Sequence, residues 1–103
     1  MKKLKIDIFD CTIYIYKKEE RARFAKDYQT GVETASFAEV RGNGVWIGDH
    51  TNRVGMCYHE ATHLADWIME ERLEMTQGSL SSNTELRAYI IEYVGNEIVD
   101  YVI

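Results

Sequence analysis

Proline is missing from this sequence altogether, and no repeat or low-complexity stretch stands in for it, so nothing in the 103 residues marks a linker or a domain boundary. That length allows one compact domain with one modest core and not two, so residues 1–103 are read as a single domain. Cysteine is nearly missing as well. Cys11 and Cys57 form no C-x-x-C pair and are too few for a disulfide framework, so both read as buried thiols in a reducing compartment. No apolar run approaches the roughly 20 residues of a membrane span. The segment Met1 to Asp10 begins like a leader peptide, but Lys5, Asp7 and Asp10 interrupt the apolar run that a leader requires. It reads as a strand, and the expectation is a cytoplasmic protein with no membrane partner. Positive charge is scarce: the net charge is -5, and lysine and arginine are scattered apart from Lys2-Lys3 and Lys17-Lys18. With no basic stripe to lie along phosphates, nucleic acid is not an expected partner.

What is present is a globular composition, 46% hydrophobic and 12% aromatic, which argues against disorder. Alternation in Lys3-Leu4-Lys5-Ile6-Asp7-Ile8 and again in Thr12-Ile13-Tyr14-Ile15-Tyr16 predicts two strands, or one strand broken near Asp10-Cys11. Lys17 to about Gln29 is rich in helix formers and is closed by Gly31. Thr34 to Val40 and Gly44 to Gly48 flank the turn-rich Arg41-Gly42-Asn43 and read as a hairpin. A further helix is expected from about Arg53 to Met75, capped by Asp49, Thr51 or Asn52, followed by a polar loop over Gln77 to Ser82. The last helix runs from Thr84 to about Tyr101, with Leu86, Ile90, Val94 and Ile98 recurring every four residues. The fold class is α+β: a small antiparallel or mixed sheet with helices packed on it.

The chemistry concentrates in His59-Glu60-Ala61-Thr62-His63, which gathers two of the three histidines around a glutamate. At about 100° and ~1.5 Å per residue, His59 and His63 project from nearly the same side of a helix, one turn apart. Both imidazoles can reach one metal ion, and Glu60 points beside that ion, where it could take a proton from water held there. This is the H-E-x-x-H arrangement of zinc hydrolases. A solvated histidine pair, with Glu60 matched to Arg53 or Arg72, is the plain alternative. Against it, Tyr58, Ala61, Leu64, Ala65 and Ile68 form an apolar stripe that sets this helix in a core.

Catalytic zinc usually takes three protein ligands and leaves a fourth position for water. Glu70 and Glu71 lie too far along the same helix to bend back. Glu85 begins a separate helix, and Ala88 and Gly95 give that helix a small-residue face on which another helix could close. Glu85 also fits a capping box, Ser82-Asn83-Thr84-Glu85, in which it would only satisfy a backbone amide. Glu92, two turns on, is the reserve ligand.

His59-Glu60-x-x-His63 followed by Glu85-x-x-Ala88 resembles the H-E-x-x-H plus E-x-x-A signature of gluzincin-type zincin metallopeptidases. Over roughly residues 35 to 95 the pattern is similar to small metallopeptidase-like proteins of phages and prophages. The resemblance implies a minimal zincin-like fold, with an N-terminal helix, an active-site helix and a C-terminal helix on the sheet. It implies Zn2+ as cofactor, with His59, His63 and Glu85 as ligands and Glu60 as general base and later proton donor. It further implies that Val45-Trp46-Ile47 is the edge strand along which a peptide or protein substrate would lie. Where many gluzincins carry an aspartate four residues after the ligand glutamate, this chain has Tyr89, which bears no charge near neutral pH.

His50 precedes the motif helix and reads first as a loop histidine, second as a proton donor. Tyr58 and Tyr89 are candidate oxyanion donors, although core packing explains most of the tyrosine. Two functions compete. One is a small zinc peptidase in which Glu60 activates water. The other is a weakly catalytic or non-catalytic zinc-binding interaction protein, such as a phage-encoded inhibitor of a host system. Retention of Glu60 favours the first, and the small size of the chain favours the second.

Overall fold

The computed structural model describes residues 1–31, 37–73 and 83–103. The start of the expected second hairpin, the end of the motif helix at Met75 and the loop from Gln77 to Ser82 lie outside them.

The alternating N-terminal segment forms β1 (Lys2–Ile6) and β2 (Cys11–Tyr16), paired antiparallel with Leu4 opposite Ile13 and Ile6 opposite Cys11. The break expected near Asp10 is a turn. A short 3-10 segment over Asp7–Phe9 ends at Asp10, whose φ of 48° is left-handed and whose N–H donates to Asp7 O at 3.1 Å. Because side chains alternate, Leu4, Ile6, Ile13 and Ile15 share the buried face, and Tyr16 turns to the other.

The first helix is shorter than its propensity predicts. Lys18–Glu20 is a 3-10 turn, held by a hydrogen bond from Lys17 N to Glu20 Oε1 at 2.9 Å, and α1 proper is Arg21–Tyr28. It ends at Gln29 in the left-handed region (φ 53°), not at Gly31. Phe24 packs edge-on to Tyr16, and both meet Trp46, making a small aromatic cluster on the far face of the sheet.

The second hairpin is β3 (Ala38–Arg41) and β4 (Gly44–Ile47), turning at Gly42 with φ 55°. The sheet order is β1-β2-β4-β3, with β2 and β4 parallel and the other pairs antiparallel, so the sheet is mixed and the fold is α+β. This order overturns the placement of Val45-Trp46-Ile47 at an edge. Strand β4 is hydrogen-bonded on both sides, Val45 and Ile47 are fully buried on the helix face, and Trp46 is 6% exposed against the aromatic cluster. The edge on that side, among the described residues, is β3.

Helix α2 (Arg53–Trp67) starts at Asn52, whose Oδ1 accepts the Gly55 N–H at 3.0 Å, and it relaxes into a π turn over Ile68–Arg72. Helix α3 (Thr84–Val102) returns antiparallel to it. Between the two helices and the sheet lie Cys57, Ala61, Leu64, Ile68, Val94 and Ile98, all fully buried. Each of the larger aliphatic side chains contributes about 1.5–3 kcal/mol of burial. Among the described residues no helix is long and apolar enough to cross a membrane.

Candidate metal centre

The sheet covers one side of α2 and α3 covers another, and His59 and His63 stand on what is left, while Glu60 and Ala61 of the same motif are buried. His59 and His63 are exposed, their ring centroids 5.2 Å apart and their planes 78° apart. A zinc–nitrogen distance of about 2.0–2.1 Å puts each ring centroid about 3 Å from the ion, so two rings at a tetrahedral angle stand about 5 Å apart. The spacing of the two rings is therefore compatible with one shared tetrahedral metal. Neutral imidazoles suit zinc in donor chemistry too.

Glu60 is the buried charged residue of the described structure, only 6% exposed. Burial pushes its carboxyl above the usual range, the charges of His63 and His59 pull it back, and Glu39 raises it again. A carboxyl whose proton affinity is raised by burial, beside two ligand-type histidines, is a candidate proton acceptor. The plain alternative partners are engaged elsewhere. Arg53 donates Nε to Gly48 O at 3.1 Å, and Arg72 donates to Asp10 O at 2.8 Å.

Glu39 was not legible in the sequence. It sits on β3, accepts Thr30 Oγ1 at 2.9 Å and Arg41 Nε at 3.3 Å, and is close enough to Glu60 to act on its charge. A lone acid in an alternating strand carries no linear signal. Only the packing of β3 against α2 brings the two together.

The third ligand is a different matter. Among the described residues no group of three His, Cys, Asp or Glu side chains is placed to hold a metal ion, so Glu85 is not brought to the histidine pair. The helix pairing explains why. Tyr58 lies on Gly95, and Asp66 accepts Arg87 Nε at 2.8 Å, a register that sets Glu85 level with Ile68 and Glu92 level with Ala61. With Tyr58 turned to α3, His59 and His63 are rotated about 100° and 140° away from it. The axial register therefore favours Glu92 over Glu85 as the α3 acid nearer in height to the imidazoles. Glu85, Ala88, Tyr89 and Glu92 instead line their own shallow cavity of about 220 Å³. The alternative capping box over Ser82-Asn83-Thr84-Glu85 falls in part outside the described residues. Asn83 is the N-cap, which makes Glu85 the second helical residue, and Ser82 lies outside the described residues.

The secondary candidates have structural tasks. His50 Nδ1 accepts the Asn52 N–H at 2.9 Å, and its ring meets Phe37 edge-on at 4.9 Å, so it shapes the turn into α2. Tyr58 donates its hydroxyl to Asn96 Oδ1 across the helix pair. Tyr89 is 68% exposed on α3. Ala88 is exposed, and the close approach expected of it falls at Gly95. Comparison of the chain with protein-family models, with curated proteins and with solved structures finds no match.

Proposed function

We propose that the protein is a small zinc-dependent hydrolase, of the zincin type, acting on a peptide or protein. The observation that carries this reading is the buried Glu60 between His59 and His63, whose rings stand 5.2 Å apart. His59 and His63 would hold the ion, and a carboxylate of α3 or the substrate itself would complete its coordination. When bound, zinc acts as a Lewis acid that polarises a carbonyl and acidifies water.

The chain's own groups do the rest. Glu60, its proton affinity raised by burial, accepts a proton from the attacking water at a carboxylate oxygen and returns it to the leaving amine. Exposed imidazoles leave the approach open, and the apolar packing of Cys57, Ala61 and Leu64 fixes the helix that carries them. An extended substrate would add to β3, whose outer side has no strand neighbour among the described residues, and would pass Glu39 and Arg41. This replaces the buried β4 as the substrate strand.

A second reading, a zinc-bearing interaction protein without turnover, is favoured by the histidine pair to which no third ligand is brought among the described residues. Metal analysis of protein purified without added metal, together with hydrolysis of a mixed peptide library, separates the two. Stoichiometric zinc with cleavage that Glu60→Gln removes supports the hydrolase. Zinc without cleavage rejects it.

A further inference from the structure

Helix α3 carries a second apolar stripe that branches from the core at Leu86 and Ile90 and continues into the exposed Tyr89 and Tyr93. Ile90, Val94, Ile98 and Val102 face the sheet, but Leu86, Tyr89, Ile90 and Tyr93 follow the i, i+3, i+4, i+7 spacing toward the β1–β2 turn. Across from them stand Ile8 and Phe9 of that turn, and the two walls enclose a groove of about 370 Å³. Three side chains of this groove are conspicuously wet: Ile8 is 85% exposed, Tyr89 68% and Tyr93 45%. An apolar cleft lined by exposed aromatic and aliphatic groups marks a contact surface.

The charge beside the groove says what fits it. Tyr89 also lines the neighbouring cavity, whose other walls are Glu85, Ala88 and Glu92, so an acidic strip runs along α3 one residue-column away from the apolar one. The groove's own Lys5 is already matched by Asp7 at 4.0 Å. The chain as a whole carries a net charge of -5.

We propose that this groove docks a basic amphipathic helix of a partner protein, its apolar side chains seated between Ile8, Phe9 and Tyr93 and its lysines or arginines on Glu85 and Glu92. The stripes of α3 run side by side for two turns, which is the surface that an opposing helix with adjacent apolar and basic columns complements. Burial of the aromatic and aliphatic groups supplies affinity, and the acidic strip supplies orientation and rate of encounter. The site lies on α3 and the β1–β2 turn and uses neither the histidine pair nor Glu60, although Glu85 and Glu92 are also the acids of α3 that a metal could recruit.

The test is titration of the full chain with two synthetic helical peptides, one of leucine and lysine and the other of leucine and glutamate in the same pattern. The leucine–lysine peptide should bind, weaken with added salt, and lose about tenfold or more in affinity on Ile8→Asp and on Tyr93→Ser. Glu92→Gln should weaken it by a smaller factor. Ile8→Asp is informative because it adds negative charge: general attraction of a cation to an acidic surface would grow, while seating in an apolar groove would be lost. Ile8 is so exposed that the substitution should leave the fold intact, which circular dichroism checks. Unchanged affinity in Ile8→Asp, equal binding of the leucine–glutamate peptide, or a self-associated chain that Ile8→Asp converts to monomer would each overturn the proposal.

Discussion

Tyr58 lies with its ring against the backbone of Gly95, so that a Cβ at position 95 would stand 2.2 Å from Cδ1 and 2.4 Å from Cε1 of the tyrosine. The hydroxyl of the same ring donates to Asn96, which removes the freedom the ring would need to swing aside. This contact sets the distance and the register of α2 and α3, and through them the orientation of the histidine pair.

Gly95→Ala should therefore destabilise the protein, although alanine is the better helix former. The gain in propensity is about 1 kcal/mol, and overpacking of a fixed aromatic contact costs about 1–3 kcal/mol. The expected net loss is ~1 kcal/mol, read as a lowered midpoint in urea with an unchanged slope. A variant as stable as the parent would show that the ring is free to move.

The elements were largely readable because they rest on local pattern. Alternation revealed β1 and β2, Arg41-Gly42-Asn43 revealed the hairpin, and the four-residue recurrence of Ile90, Val94 and Ile98 revealed α3. Strand order was not readable from alternation, but one signal pointed to it. The unbroken apolar run Val45-Trp46-Ile47 is what a strand buried on both faces requires, and an edge strand would alternate. The histidine pair was legible because it is a matter of spacing on one helix. The third ligand was not, because it depends on how α3 is registered and rotated against α2, which Tyr58, Gly95, Asp66 and Arg87 decide together.

Cys57 is fully buried, and burial pushes its thiol up to about 11 while Arg53 pulls it slightly down. The folded protein should resist alkylation at this position near pH 8, with Cys11, which is only half-buried, reacting first. In the unfolded chain the thiol ionises near its ordinary 9.0, so above that pH the unfolded state loses a proton that the folded state retains, and stability falls as pH rises toward 11. Below that window Cys57 contributes no pH dependence. Mass spectrometry after brief labelling reads the first expectation, and rapid modification of Cys57 in folded protein would refute it.

Metal binding should follow the two imidazoles. His59→Ala and His63→Ala should each abolish stoichiometric zinc, because the ion loses one of the two imidazoles, whose rings stand 5.2 Å apart. Of the two acids on α3, Glu92 stands level with Ala61 and Glu85 level with Ile68, so Glu92→Ala should weaken zinc more than Glu85→Ala does. Zinc affinity measured by chelator competition distinguishes them. A larger loss on Glu85→Ala would mean that the metal-bound protein does not keep this register of α2 and α3.

Glu60 should be dispensable for metal and required for chemistry. Glu60→Gln keeps the shape of the side chain and removes the proton acceptor, so zinc content should persist while hydrolysis falls by about 10²–10⁴-fold. The same substitution has an opposite effect on stability in metal-free protein. Burial raises the carboxyl above its ordinary 4.5, more than His63 and His59 lower it, and Glu39 adds to the rise. Between 4.5 and that raised value the folded state binds a proton that the unfolded state has released, so the stability present below 4.5 is lost as pH climbs through the window. Glutamine does not titrate. Metal-free Glu60→Gln should therefore unfold at higher urea than the parent at pH 7, and its stability should vary less from pH 4 upward. Should the variant prove less stable than the parent at neutral pH, the carboxylate is held by favourable contacts and is not strained by burial. The proton-accepting role proposed for it would then lose its physical basis.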